Sequence, residues 1–472
     1  MSIIKKIRKK LDNKEISCVE LIQYYIKSIK RYNRILNAYI SINEKQALEQ
    51  AKKSDMSIYN KTQNFLTGIP ITHKDNLYIK NTKTTCGSRV MKNHDSPFSA
   101  TIIEKIENQG MISLGKSNMD EFGVGSTGKN SLFNSIKNPW SIEHSPGGSS
   151  GGSAAAVSSN LIPIATGSDT GGSVRQPSGF CGITGMKPSY GTLSRYGLIP
   201  HADSFDHIGI LSRYAVDASI VLQSMSGKDN LDKTSIKTPK DFFVKKIDIK
   251  GKKIGISQNI FQDLTKPLQI LIQKCIESFQ KLGIKIKNIK LPNLDNNVPL
   301  YFALSTPELS KNLKKIQNDF FSDKNSQYSK EKFGKEVQQR ILLGNLMISS
   351  KKWNYHYKEA KIVRKEIFEE MENIYKKVDM ILLPTTKSTA FKTNENFKNT
   401  KSFFNDMYTI LANLTGNPAI SFPIGVSKDL PFSAQLISKR FNDNVLLQTV
   451  EMYQKITDFH LLEPKIKLKR FI

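Results

Sequence analysis

Val19, Leu21, Ile22, Tyr25, Ile26 and Ile29 repeat at the spacing of one helix face. The stretch from about Ser17 to Lys52 therefore reads as an amphipathic helix pair. It opens on Ser17-Cys-Val-Glu20, in which serine and glutamate can each satisfy a free backbone N–H of the first turn. Ile69-Pro-Ile-Thr-His-Lys74 is a short apolar strand running into a loop. Ala100 to Asn108 has helical spacing, Gly110 stops it, and Met111-Ile-Ser-Leu114 reads as a short buried strand. Ser153-Ala-Ala-Ala-Val157 is a helix of small residues entered from glycine, and Leu161-Ile-Pro-Ile-Ala165 is a strand leading into a glycine-rich loop.

Helices and strands thus alternate with short connections, which predicts an α/β fold: a large sheet covered by helices on both faces. From about Asp241 to Val378 the chain becomes lysine-rich and mostly helical after one strand, Lys253-Ile-Gly-Ile-Ser257. The alternation returns at Asp379-Met-Ile-Leu-Leu-Pro384 and Ala419-Ile-Ser-Phe-Pro423. A chain that leaves a sheet and re-enters it is best described as a single domain over 1–472, with 241–378 a helical insertion.

The chain has 472 residues, 38% of them hydrophobic and 24% charged, enough for a large core and typical of a globular protein. No apolar run is long enough to span a membrane, and the start, Met1-Ser-Ile-Ile-Lys-Lys, lacks a secretory apolar region. Cys18, Cys86, Cys181 and Cys275 are widely separated, which argues against a zinc site or a disulfide framework and predicts reduced thiols in the cytoplasm. The net charge of +28 invites a nucleic-acid partner. Most of the basic residues are lysines dispersed along the chain, with no aromatic RNA-binding motif. A diffuse basic surface near an RNA-bound partner fits better than direct reading of a nucleic acid.

Two short patterns mislead. Gly110-Met-Ile-Ser-Leu-Gly-Lys116-Ser117 satisfies the phosphate-loop expression, but its interior residues want burial rather than a loop of exposed N–H groups. Gly147-Gly-Ser149-Ser-Gly151 satisfies the nucleophile-elbow expression, yet the polar, proline-bearing Pro139–Pro146 stands where a strand is needed. His356 and His460 are the downstream histidines such an elbow would need, and both read as structural.

A different constellation fits better. Ser145-Pro-Gly-Gly-Ser-Ser-Gly-Gly-Ser153 and Gly167-Ser-Asp-Thr-Gly-Gly-Ser173 are two flexible loops that each set a serine beside backbone N–H groups. Lys74 follows an apolar run that can strip it of water. A serine needs a base, and a lysine serves only when neutral, which requires its pKa to fall by roughly three units from about 10.4. Thr170, Gly171, Gly172 and Ser173 offer successive N–H groups to an oxyanion, with no side chains on the two glycines to block approach.

These loops and this lysine resemble the amidase signature family, built on a Ser–cis-Ser–Lys triad. The resemblance makes Ser173 the nucleophile, Ser149 the bridging serine on a cis peptide after Gly148, and Lys74 the base. Within that family, Asn118-Met-Asp-Glu-Phe122, Lys187-Pro-Ser-Tyr-Gly191, Ser194-Arg-Tyr-Gly-Leu-Ile199, Asp206-His-Ile-Gly209 and Asn413-Leu-Thr-Gly416 are most similar to the glutamine-hydrolysing A subunits of tRNA-dependent amidotransferases. Asn312–Asp319, Lys387, Ser433 and Ser438 depart from that pattern.

The similarity implies hydrolysis of L-glutamine through a glutamyl-enzyme, with Arg340 receiving the substrate carboxylate and Asp406 its amine. It implies no cofactor or metal in this chain. ATP and magnesium would belong to a tRNA-binding B subunit, and a small C subunit would complete a heterotrimer converting Glu-tRNA(Gln) to Gln-tRNA(Gln). Two alternatives remain: a stand-alone hydrolase of the same fold acting on another carboxamide, and an ATP- or RNA-binding protein using Gly110–Ser117.

Overall fold

A computed structural model describes residues 2–321, 333–350, 353–394 and 406–468. Among them eleven strands form one mixed sheet: β1 (Tyr39–Ile42), β2 (Pro70–Lys74), β3 (Ile112–Ser117), β4 (Ile164–Asp169), β5 (Thr184–Lys187), β6 (His207–Ser212), β7 (Lys253–Ile256), β8 (Lys285–Asn288), β9 (Met380–Pro384), β10 (Ala419–Ser427) and β11 (Leu430–Ser438). Their order is β1-β3-β2-β4-β6-β5-β10-β11-β9-β7-β8. β2 runs parallel to both β3 and β4, whereas β4, β6, β5, β10, β11 and β9 alternate in direction.

The predicted two-faced sheet is present, and β9 shows why its sequence is apolar throughout. Successive strand side chains point to opposite faces. Met380 and Leu382 join the core beneath the helices Lys266–Lys281 and Asp443–Ile456. Ile381 and Leu383 join a second core against Asn297–Phe321, Trp353–Tyr375 and Met407–Thr415. A strand buried on both sides reads as a continuous apolar run, and this one does.

The helix Cys18–Leu36 starts at Ser17 with the reciprocal cap formed on both sides, Glu20 N–H to Ser17 Oγ at 3.1 Å and Ser17 N–H to Glu20 Oε2 at 2.8 Å. The expected pair over Ser17–Lys52 is interrupted, because β1 lies between this helix and Glu44–Tyr59. The stretch 241–378 supplies a second strand, β8, besides the expected β7, and both extend the sheet edge beside β9.

β3 runs through the supposed phosphate loop. Gly115, Lys116 and Ser117 are buried strand residues, and Lys116 Nζ pairs with Asp75 Oδ1 at 3.2 Å and donates to Leu77 O at 2.6 Å. Chain committed to a sheet ladder offers no cradle of free amides. No strand precedes Ser149 either, so the elbow pattern has no structural counterpart. Among the described residues no helix is long and apolar enough to cross a membrane.

Candidate active site

Because β2 and β4 are parallel neighbours, their C-terminal ends open at the same edge of the sheet. Lys74 is the last residue of β2, and β4 ends at Asp169, directly before the second glycine loop. The first glycine loop feeds the helix Gly151–Ser158, whose eight residues are all buried. Small residues are required there: a Cβ on Gly152 would lie 2.2 Å from Asn118 O and 2.6 Å from Ala38 O. This close approach carries Ser149 and Ser150 over the end of β2.

Lys74 is fully buried. Its Nζ lies 2.7 Å from Ser149 Oγ, 2.8 Å from Ser168 Oγ and 3.0 Å from Ser150 Oγ. Among the described residues no carboxylate pairs with it. Burial removes the water that would stabilise the ammonium and brings the pKa down to about 7, with Asp120, Asp169 and Asp206 partly opposing the fall. The neighbouring His73 is no rival base. Its ring nitrogens face Thr166 Oγ1 and Ser113 Oγ, and burial pushes its pKa down to about 3. His460 packs against the Tyr214 ring at 5.0 Å, and His356 stands exposed on the helix Trp353–Tyr375.

Thr170–Ser173 form the loop after β4. Among the described residues no protein acceptor takes their four N–H groups, whereas the next two, Val174 and Arg175, donate to Asp169 Oδ2 at 3.2 and 3.4 Å. Gly172 adopts φ +135°, and a Cβ there would lie 2.2 Å from Thr409 Oγ1. Glycine is thus required both by backbone conformation and by space. Ser173 is half-buried and its Oγ faces Gly148, lying 3.5 Å from where a Cβ on that glycine would sit.

One expectation is corrected. No peptide bond among the described residues is cis, so Gly148–Ser149 is trans. Ser149 reaches Lys74 Nζ, 2.7 Å away, from the trans peptide. No hydrogen bond joins Ser149 Oγ to Ser173 Oγ; the contact made is Lys74 to Ser149.

Arg340 and Asp406, distant in sequence, come together with the Ser173 loop around one pocket, whose wall also includes Gln176, Tyr301, Phe302 and His201. The Arg340 guanidinium lies 4.1 Å from the centre of the Phe302 ring and 3.6 Å from Glu336 Oε1. Burial, followed by the like charge of Asp169, pushes the Asp406 pKa up to about 8, with Arg175 and Arg340 drawing it back. A carboxylate and a guanidinium facing one cavity beside a serine suit a substrate with a free amine, a free carboxylate and a carboxamide.

Sequence reasoning missed the residues that brace this pocket. Asp169 and Arg175 close a buried pair across the Ser173 loop, and Asn413 donates to Asp169 Oδ1 at 2.9 Å. Asp206 accepts from Thr170 Oγ1 at 2.6 Å. Gln176 spans Gly148 and Asp406. Asp169 and Arg175 do flank the loop in sequence, a signal available beforehand. Gln176 and Asp206 act across long separations and leave no local sign.

The amidase family model matches residues 20–447. The A subunit of glutamyl-tRNA(Gln) amidotransferase from Francisella tularensis subsp. novicida (strain U112) is 41% identical over 481 aligned residues, covering 99% of this chain and all of the relative. The crystal structure of the A subunit of glutamyl-tRNA(Gln) amidotransferase from Thermotoga maritima superposes with a TM-score of 0.80 at 32% identity, covering 99% of this chain and 96% of that one. Native peptide amidase from Stenotrophomonas maltophilia shares the fold, with a TM-score of 0.84 at 24% identity over 96% of each chain. Agreement of a family model over most of the length with a full-length relative of this identity leaves one assignment: the chain belongs to the amidase family.

Proposed function

We propose that this chain is the glutamine-hydrolysing subunit of a tRNA-dependent amidotransferase, releasing ammonia from L-glutamine. The observation that carries the reading is a fully buried lysine with no carboxylate partner among the described residues, 2.7 Å from a serine hydroxyl, behind a loop of uncommitted amides.

Ser173 Oγ attacks the carboxamide carbon of glutamine. Ser149 takes the Ser173 proton and passes its own to neutral Lys74, whose pKa near 7 makes it a competent acceptor at neutral pH. The N–H groups of Thr170 to Ser173 receive the developing oxyanion. The proton returns through Ser149 to the departing nitrogen, which leaves as ammonia. Water then attacks the glutamyl-Ser173 ester by the reverse relay and releases glutamate. For attack, Ser149 and Ser173 draw into hydrogen-bond contact once substrate fills the pocket, since catalytic contacts commonly tighten in the substrate complex. Arg340 holds the substrate carboxylate and Asp406 its ammonium.

The ammonia passes to a partner. The chain works with a tRNA-binding B subunit, which uses ATP and magnesium to activate Glu-tRNA(Gln), and with a small C subunit, in the cytoplasm where charged tRNA is made. The names of the relatives, A subunits of glutamyl-tRNA(Gln) amidotransferase, support membership of a multi-subunit enzyme of that kind.

The test is ammonia release from glutamine by the chain with its copurifying subunits, for wild type and Ser173→Ala. Turnover is expected to vanish while the assembly stays intact. Turnover retained by the variant would reject Ser173 as nucleophile.

A further inference from the structure

Gln176 is 1% exposed and lies in the first turn of the helix Arg175–Cys181, just past the Ser173 loop. Its Oε1 accepts the N–H of Gly148, next to Ser149, at 2.5 Å. Its Nε2 donates to Asp406 Oδ1 at 2.8 Å. Its own backbone N–H donates to Gly172 O at 2.8 Å. One residue therefore joins both glycine loops and the carboxylate at the far wall of the pocket.

The orientation of this amide is not free. The Gly148 N–H can be accepted only by the carbonyl oxygen of a primary amide, so the NH2 group must face Asp406. Oδ1 of Asp406 is thereby held as an acceptor, and any proton the carboxyl group carries sits on Oδ2. Gly148 in turn fixes the start of the segment that carries Ser149 onto Lys74. The distance between the amine-receiving oxygen and the serine relay is then set by the length of one glutamine side chain, not by loops free to move independently.

We propose that Gln176 is a positioning residue for substrate selection, registering the α-amine of the substrate against the serine relay so that the enzyme favours carboxamides bearing that amine. The proposal rests on Asp406 as the amine receptor. Asp169 and Arg175 from the nucleophile segment, Arg340 from the helix Lys335–Ser349 and Tyr301 from the helix Asn297–Phe321 are the other charged or titratable groups acting on this carboxylate. None of them reaches the Gly148 amide, so the bridge belongs to Gln176.

The test compares two substrates, glutamine and 4-carbamoylbutanoate, which keeps the carboxamide and the carboxylate but lacks the amine. Two variants are used in the full chain with its copurifying subunits. Gln176→Met removes both bonds. Gln176→Glu keeps an acceptor for Gly148 and places a second oxygen against Asp406 where a donor stood. The ratio of kcat/KM for glutamine to that for the des-amino analogue should fall about tenfold or more in both variants, the size expected for losing a hydrogen bond to a charged group. A fold that merely loosens would lower both substrates together and leave the ratio unchanged. An unchanged ratio in Gln176→Glu beside a selective wild type overturns the role of Gln176, and this isosteric variant decides the matter should Gln176→Met not fold. A wild type that hydrolyses both substrates equally overturns instead the amine-receiving role of Asp406.

Discussion

Arg175 folds back onto Asp169 as a fork, Nη2 to Oδ1 at 2.9 Å and Nε to Oδ2 at 3.1 Å, with both side chains wholly buried. The remaining guanidinium hydrogens go to Thr409 O, Gln435 Oε1 and Asn413 Oδ1. The pair closes the ends of the segment that carries Ser173 and ties it to β11 and the helix Met407–Thr415. Breaking a buried, fully bonded pair from one side leaves an uncompensated charge and costs about 3–5 kcal/mol. Arg175→Met should therefore lower the midpoint of urea unfolding by that equivalent and remove glutaminase turnover. Arg175→Lys should restore little, because an ammonium cannot reproduce the fork. The same pairing holds the Asp169 carboxyl well below the usual carboxylate range. Its stabilisation is complete above about pH 4 and is lost only as the solution becomes strongly acid.

The pH dependence of kcat/KM reports groups of the free enzyme. Lys74 acts as the neutral amine, with a pKa lowered by burial to about 7. Asp406 acts as the carboxylate, with a pKa raised by burial to about 8. Both requirements fail on the acid side, so kcat/KM should climb with pH, first in proportion to two deprotonations and then to one. Asp406→Asn should lose the upper limb, keep the lower one and raise KM for glutamine. A profile falling from pH 6 to pH 8 in the wild type would contradict both assignments.

Lys74→Met should abolish turnover and yet stabilise the chain. The folded pKa is about 7, against about 10.4 for an unfolded lysine. Burying the ammonium is therefore a folding penalty, full below about pH 7 and fading as the pH rises towards 10.4. Its maximum is about 4–5 kcal/mol. Three hydroxyls, of Ser149, Ser150 and Ser168, each lose one hydrogen bond in the variant, at about 1 kcal/mol each. The net gain should be on the order of 1–2 kcal/mol at pH 7, visible as a higher Tm, and should reverse to a net loss of about 2 kcal/mol by pH 10, where the penalty has almost gone.

The reach of the sequence follows from how local each signal is. Glycine runs, a serine cap and apolar strands are written in adjacent residues, so both loops, the Ser17 cap and β2, β7, β9 and β10 were legible. Lys74 stood out because an apolar run precedes it. β8 was missed because Lys285-Ile-Lys-Asn288 is mostly exposed at the sheet edge and carries no apolar alternation. β3 runs past the expected end at Leu114 to Ser117, because Lys116 finds a buried partner in Asp75, which lies far away in sequence. The contact between Gln176 and Asp406 spans 230 residues and is set by sheet order, which no local pattern encodes. Arg340 and Asp406 came only through resemblance; the fold brings them to one pocket.

Gly172→Ala tests the oxyanion loop without touching a polar group. The backbone there sits at φ +135°, and the added methyl would overlap Thr409 Oγ1, which itself donates to Gly171 O at 2.7 Å. Strain of this kind costs about 1–3 kcal/mol before the clash is counted. The loop must shift, and oxyanion donors work only when aimed at the developing charge, each being worth about 2.7–4 kcal/mol. Turnover should fall at least about a hundredfold with a much smaller change in KM. Thr409→Ala should not restore it, because relieving the overlap leaves the backbone strain.

Lys116 separates the two chemistries the sequence suggested. A phosphate-loop lysine would be dispensable for folding and essential for nucleotide binding. Here Lys116 is buried against Asp75 and donates to Leu77 O and Thr84 Oγ1, and Asp75 also accepts the Thr85 N–H at 3.0 Å. Lys116→Met removes the only cation paired with that carboxylate among the described residues, next to Lys74 in the chain. It should destabilise folding by about 3–5 kcal/mol in urea titrations. ATP affinity of the folded assembly, read by calorimetry below the unfolding transition, should match the wild type. Loss of ATP binding with unchanged stability would instead place the nucleotide on β3, against the burial of its glycine, lysine and serine.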